Sequence, residues 1–194
     1  MRVFCMNQRT RELWRKVAHI VIGTFCLLAA AFIAKYHGWA ALELTLACVL
    51  AVLVLADVLI ADYGWKLPLY HHLQRPHETE GLHTATLSVL SAIVAVKLFS
   101  TPVAIAAIAM LIYGDAAAAI AGVYARSRKK TAMPRTVAML IVSALIGVYA
   151  LGWQVGVGMA IVATLAECCT KKIDDAVTIP ILAGLAGQLL LYFL

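Results

Sequence analysis

A chain of 194 residues that is 63% hydrophobic and only 13% charged, with a mean hydropathy of +0.91, lies far outside the composition of soluble domains. That excludes a water-soluble enzyme and leaves an integral membrane protein. The net charge of +6 marks topology and attraction to anionic lipid headgroups, and with no aromatic residues interleaved among the cationic runs it does not indicate nucleic acid as a partner.

Apolar runs at or near the spanning length of about 17 to 25 residues fall at 17–34, 39–61, 82–99, 102–124, 137–152, 153–167 and 176–194. The predicted fold is therefore all-α, a single polytopic transmembrane domain over 1–194 with seven helices, of which the fifth and sixth are the shortest. The first run is too long for the apolar region of a cleavable signal and lacks a clear small-residue cleavage site, so it is expected to stay in the mature protein. Fourteen of the sixteen Lys and Arg residues sit before the first run or in alternate connections after it, leaving only Lys35 and Lys97 for the others. The amino terminus is then cytoplasmic and the carboxyl terminus outside. The five cysteines, Cys5, Cys26, Cys48, Cys168 and Cys169, show no CxxC or CxxH spacing, so neither a disulfide framework nor a zinc site is indicated.

In chain order, the opening segment RTRELWRKVAHIVIG places Arg15 and His19 four apart on one helix face, with Lys16 beside them. A cationic helix end suits an anionic ligand, and a histidine there exchanges a proton near neutral pH; positive-inside flanks with Trp14 as an interfacial anchor are the plainer account of the cations. Asp57 falls near the inner end of the second run, and Glu43 near its outer end. The loop after it contains His77 and Glu78, which open like a zincin HExxH, yet Gly81 stands where the second histidine is required. What remains are acids and histidines near the membrane, with Glu78 or Glu80 able to assist a metal and Glu80 equally able to cap the next helix.

The fourth run carries GDAAAAIAG, with Asp115, Ala118, Ala119 and Gly122 at i, i+3, i+4 and i+7 on one face. A carboxylate inside a membrane helix requires a cavity, a partner or a metal. The strip of small side chains admits a bulky polar ligand, its metal on Asp115 and its phosphates near Arg126, although small-residue stripes also serve helix packing without any ligand. ARSRKKTAMPRT follows, a basic loop suited to phosphate oxygens but without the glycine spacing of a P-loop. The last inner connection, ECCTKKIDDAVTIP, supplies three acids within nine residues, Glu167, Asp174 and Asp175; Asp175 also suits the N-cap of the final helix. A cluster of acids and bases from separate helices at one membrane face matches Mg²⁺ with a polyphosphate, because Mg²⁺ takes oxygen ligands from a few carboxylates plus the phosphates themselves.

In order and kind, RKVAH, YGDAAAAIAG, the basic loop with KT, and E followed by DDAVTIP resemble the dolichol kinase, phytol kinase and CTP-dependent diacylglycerol kinase family, which is distantly related to phosphatidate cytidylyltransferases. The resemblance covers most of the chain. It implies a multi-pass membrane enzyme of the cell membrane, or of the endoplasmic reticulum or a plastid in a eukaryote, that transfers the CTP γ-phosphate to the hydroxyl of a polyprenol, phytol-like isoprenoid or diacylglycerol with Mg²⁺ or another divalent cation. Under it Asp115 is the central metal or nucleotide ligand and Gly114 and Gly122 shape the approach. Arg15, Lys16 and His19 match the RKxxH element, Lys130 and Thr131 the start of the basic loop, and Glu167, Asp175 and Pro180 the final motif. Two departures stand out: Ala132, Met133, Pro134 and Arg135 follow KT where an acid, glycine and serine or threonine are usual, and Ala176 replaces an asparagine. A CDP-lipid synthase acting on a lipid phosphate is the nearest alternative. A membrane transporter or an inactive lipid-binding relative is the alternative of another class; a transporter is expected to show inverted repeats or broken helices around the bilayer midplane, whereas these acids gather at one face.

Overall fold

The computed structural model describes residues 8–63, 83–127, 133–169 and 174–194, and among them every regular element is helical. Helix α1 (Gln8–His37) and α2 (Trp39–Tyr63) are followed by α3 (Thr84–Leu98) and α4 (Thr101–Ala109). A π-helical turn, Met110–Gly114, runs on without a break into α5 (Asp115–Ser127). Then come α6 (Met133–Leu151), α7 (Trp153–Cys169) and α8 (Asp175–Phe193). Each of the seven apolar runs thus carries a helix over most of its described residues. Among the described residues five stretches are long and apolar enough to cross a membrane: Leu13–His37, Trp39–Asp62, Thr101–Ala125, Met133–Leu151 and Asp175–Phe193.

The two shorter apolar helices are Thr84–Leu98 and Trp153–Cys169. By sequence the fifth and sixth runs are the short ones, but Met133–Leu151 reaches 19 residues, and the run starting at 82 is the one cut back. Its ends explain the loss. His83 (φ −68°, ψ 149°) and Phe99 (φ −114°, ψ 155°) are both extended, so neither can continue the helix.

Two connections are a single residue long. Gly38 (φ 84°) joins α1 to α2 and Gly152 (φ 82°) joins α6 to α7. Both occupy the left-handed region that ends helices cheaply only for glycine, and the Gly152 N–H donates to the Val148 carbonyl, 3.0 Å away. Such short links force antiparallel neighbours. In the α6–α7 pair the backbones nearly touch, since a Cβ built on Gly156 would fall 2.2 Å from the Gly147 carbonyl carbon. In lipid, where apolar faces gain little from meeting each other, small residues that admit close backbone contact hold helices together.

The most buried span is Thr101–Ala125, with 67% of its apolar window covered, against 0% for Leu13–His37 and 6% for Trp39–Asp62. Val103, Ala107 and Met110 of this central rod meet Met139 of α6, Met159 of α7 and Ile179 of α8 in the core. Helices α1 and α2 lie outside it, their apolar side chains turned outward. Lys97 near the end of α3 pairs with Glu43 near the start of α2. Being exposed, that pair sets the register of two antiparallel helices more than it stabilises them.

Candidate functional site at the shared end of the helices

The antiparallel arrangement brings the start of α1, the end of α2, the start of α3, the latter part of the central rod, the start of α6, the end of α7 and the start of α8 to one end. The polar side chains collect there. Asp115 is the first residue after the π-turn, an insertion type that recurs at functional sites because it re-aims the residues beside it. The turn is wedged in place at Gly114, where a Cβ would sit 2.7 Å from Ser143 Oγ and 2.8 Å from Met139 Sδ. Gly114 thus serves packing against α6.

Lys16 of α1 donates to Asp115 Oδ2, and both residues are buried, at 7% and 9% exposure. The seam between α1 and the rod continues outward through Gly23, packed on Ile112, and through Thr24 Oγ1, 2.9 Å from Tyr113 Oη. A second pair closes the other side, with Arg135 Nε of α6 donating to Glu167 Oε1 of α7. Its carboxylate is buried (2%), whereas the arginine side chain is 44% exposed.

Asp175 opens α8 within electrostatic reach of Asp115, Glu167 and Arg135. The sequence offered Asp175 as the cap of this helix, but the cap is Asp174, whose Oδ1 accepts from the Ala176 N–H at 2.9 Å. Asp175 is therefore left to the cluster. Asp174 Oδ2 also accepts from Thr84 Oγ1 at 3.2 Å, tying the start of α3 to the start of α8.

His19 lies within electrostatic reach of Lys16, Asp115 and Arg15, and no described residue hydrogen-bonds its buried Nε2. Gly122 has room, since an added Cβ would meet only Arg135 Cδ at 3.8 Å. The structure thus unites Lys16, His19, Asp115, Glu167 and Asp175 of the expected set. The Arg126 side chain, Lys130, Thr131 and Glu78 lie outside the described residues.

The cluster differs from the expected metal centre in one respect. Asp115 and Glu167 are each neutralised by a cation of the protein, and among the described residues no three His, Cys, Asp or Glu side chains are grouped as a ready-made metal site. The donor chemistry is nonetheless that of a hard cation, with carboxylate oxygens from three helices and no sulfur or imidazole required.

Three groups escaped the sequence. Arg135 read as an interruption of the basic loop; its place directly after Pro134 in the first turn of α6 was the available signal. Asp174 was read as an acid of the last connection but not as the cap. The third is a buried cluster at the facing ends of α2 and α3: Asp57 Oδ1 lies 2.9 Å from His83 Nδ1, and Oδ2 accepts from Thr86 Oγ1 at 2.6 Å and from the His83 N–H at 3.1 Å. Nothing local to either stretch announces this pairing across 26 residues. Compared with known proteins, the chain matches no family model, no curated protein and no solved structure.

Proposed function

We propose that the chain is a CTP-dependent lipid kinase that transfers the γ-phosphate to the hydroxyl of a membrane lipid alcohol at the cytoplasmic face, in the manner of the dolichol, phytol and diacylglycerol kinases it resembles in sequence. The observation that carries the proposal is the grouping of Lys16–Asp115 and Arg135–Glu167 with Asp175 at one end of a membrane-spanning bundle. A set of two cations and three carboxylates suits a Mg²⁺–triphosphate, because the carboxylates suit the metal and the cations suit phosphate oxygens. The two ion pairs keep four of these five charges satisfied before the ligand arrives.

In this proposal Asp115, Glu167 and Asp175 would hold Mg²⁺ once Lys16 and Arg135 release their carboxylates, and the metal would supply charge stabilisation of the phosphoryl group. Lys16 and Arg135 then turn from carboxylate to phosphate. The lipid oxygen forms a bond to the γ-phosphorus as the bond to the β,γ-bridging oxygen breaks, CDP leaves with that electron pair, and the hydroxyl proton passes to a base, a role proposed for His19, whose Nε2 has no hydrogen-bond partner among the described residues. All seven helices cross the membrane, the two shorter ones with local thinning or snorkelling flanks, and the amino terminus is cytoplasmic.

The deciding experiment supplies purified protein in lipid nanodiscs with Mg²⁺ and CTP labelled at the γ or the α phosphate, with isoprenoid alcohols, diacylglycerol or phosphatidate as acceptors. Label passing from the γ position to an alcohol is the expected result. Transfer from the α position to phosphatidate would make the chain a CDP-lipid synthase, and transfer from neither would leave a transporter or a binding protein.

A further inference from the structure

The buried Asp57–His83–Thr86 cluster supplies none of the ion-pair residues, but it sets where α3 begins. The first turn of a helix leaves backbone N–H groups in want of acceptors, and the side chain of His83, at the N-cap of α3, makes no capping bond. Asp57 reaches over from α2 and stands in for it. Its Oδ2 accepts from the His83 N–H at 3.1 Å and from Thr86 Oγ1 at 2.6 Å, while Oδ1 lies 2.9 Å from His83 Nδ1. A carboxylate here also meets the positive pole of the α3 dipole. Because Glu43 and Lys97 tie the same two helices again at their other ends, the start of α3 is fixed by α2 and not by its own capping residue.

That placement passes to α8. Thr84, the residue after His83, donates its hydroxyl to Asp174 Oδ2 at 3.2 Å, and Asp174 Oδ1 caps α8 by accepting the Ala176 N–H at 2.9 Å. With one oxygen committed to each helix, the Asp174 carboxylate is held in one orientation, and Asp175 lies between the cap and the N–H it accepts. Asp115 and Glu167 are each oriented by an ion pair of their own. Among the described residues no ion pair orients Asp175, which lies within electrostatic reach of both. We infer that Asp57 and Thr84 are positioning residues for the carboxylate cluster: Asp57 fixes the first turn of α3, Thr84 carries that position to Asp174, and Asp174 holds Asp175 where a hard cation shared with Asp115 and Glu167 can use it. Hydrogen-bonded neighbours of metal ligands set metal affinity by about 10–100-fold, so the outer helix α2 bears on a site to which it contributes no ion-pair residue. The use of the site by a metal rests on the kinase reading, whereas the linkage from α2 to α8 does not.

Two measurements on the full chain in phosphatidylcholine nanodiscs test it: binding of Mn²⁺, which stands in for Mg²⁺ and is followed by its electron-spin signal, and amide hydrogen exchange at 176–178. Thr84→Val removes the hydroxyl and keeps the shape. It should speed exchange at 176–178 about two- to tenfold, the worth of one hydrogen bond, and weaken Mn²⁺ binding about tenfold or more. Thr84→Ser should return both to the values of the unmodified chain. Thr45→Val, at an exposed hydroxyl toward the other end of α2, should alter neither. Asp57→Asn should weaken Mn²⁺ as Thr84→Val does, and the two together should weaken it no further than Thr84→Val alone, because they act in series. Should Asp57→Asn fail to fold, Thr86→Val, which deprives the same carboxylate of one donor, takes its place in the cycle. Unchanged exchange in Thr84→Val, faster exchange with unchanged Mn²⁺ binding, or additive losses in the double variant each overturn the inference. If the unmodified chain binds no Mn²⁺ with or without CTP, the kinase reading falls and the exchange comparison alone decides whether the linkage stands. Mn²⁺ binding that responds to the variants as expected, in a chain that transfers no γ-phosphate, refutes the kinase and leaves the positioning role.

Discussion

Lys16 and Asp115, ninety-nine residues apart, form a buried ion pair that joins the first helix to the central rod. The pair alters what a substitution at Asp115 should do. An amide is cheaper than a carboxylate to place in a membrane, so Asp115→Asn considered alone looks benign to folding. With Lys16 as its partner, the same change leaves a buried ammonium without a counter-charge, which costs about 3–5 kcal/mol.

The first prediction follows from that cost. Asp115→Asn should lower the thermal midpoint clearly, and Lys16→Met combined with Asp115→Leu should restore most of it while leaving activity absent. Fluorescence-detected thermal unfolding alongside the γ-transfer assay separates the two effects. An Asp115→Asn variant of normal stability and near-normal turnover would assign the aspartate no role in either.

At the second pair the two partners should be unequal. Glu167 is buried whereas much of the Arg135 side chain reaches outward. Arg135→Met therefore strands a carboxylate and should destabilise by about 3 kcal/mol or more, whereas Glu167→Gln lets the arginine find water or headgroups and should cost about 1 kcal/mol. Equal losses of stability in the two variants would mean that the arginine is no freer than the glutamate.

Glycine positions should divide by what a methyl group meets. Gly156→Ala drives Cβ into the backbone of Gly147 and Val148 at 2.2 Å, and neither helix can yield without parting from the other, so a loss of about 1–3 kcal/mol or more is expected. Gly122→Ala meets only Arg135 Cδ at 3.8 Å and should leave stability unchanged. Gly122→Leu should impair catalysis by blocking ligand approach, a loss that added Mg²⁺ does not rescue.

Topology is open to a direct measurement. Cysteine-accessibility or protease tags at the amino terminus and within 128–132 should be shielded in intact cells, and a tag after Leu194 should be reachable. Exposure of the 128–132 tag from outside would reverse the one-sided site.

Hydropathy and charge placement determined, from the sequence alone, that the chain is a bundle of membrane helices with its ionisable residues gathered toward particular helix ends. Those are local properties: an apolar run of spanning length must form its own backbone hydrogen bonds in lipid, whatever lies next to it. Asp115 stood out for the same reason, as a carboxylate in an apolar run demands compensation. What compensates it was not legible. Arg15, Lys16, Arg126 and Arg135 were all basic residues near the same end, and only the packing of α1 against the rod and of α6 against α7 selected Lys16 for Asp115 and Arg135 for Glu167. The choice between Asp174 and Asp175 as cap depended on one residue of helix phase at the start of α8, and the Asp57–His83 pairing on how α2 and α3 face each other. Pairing energies fall off over a few ångströms, so they depend on helix rotation and neighbour identity, which the tertiary structure decides and a hydropathy pattern does not encode.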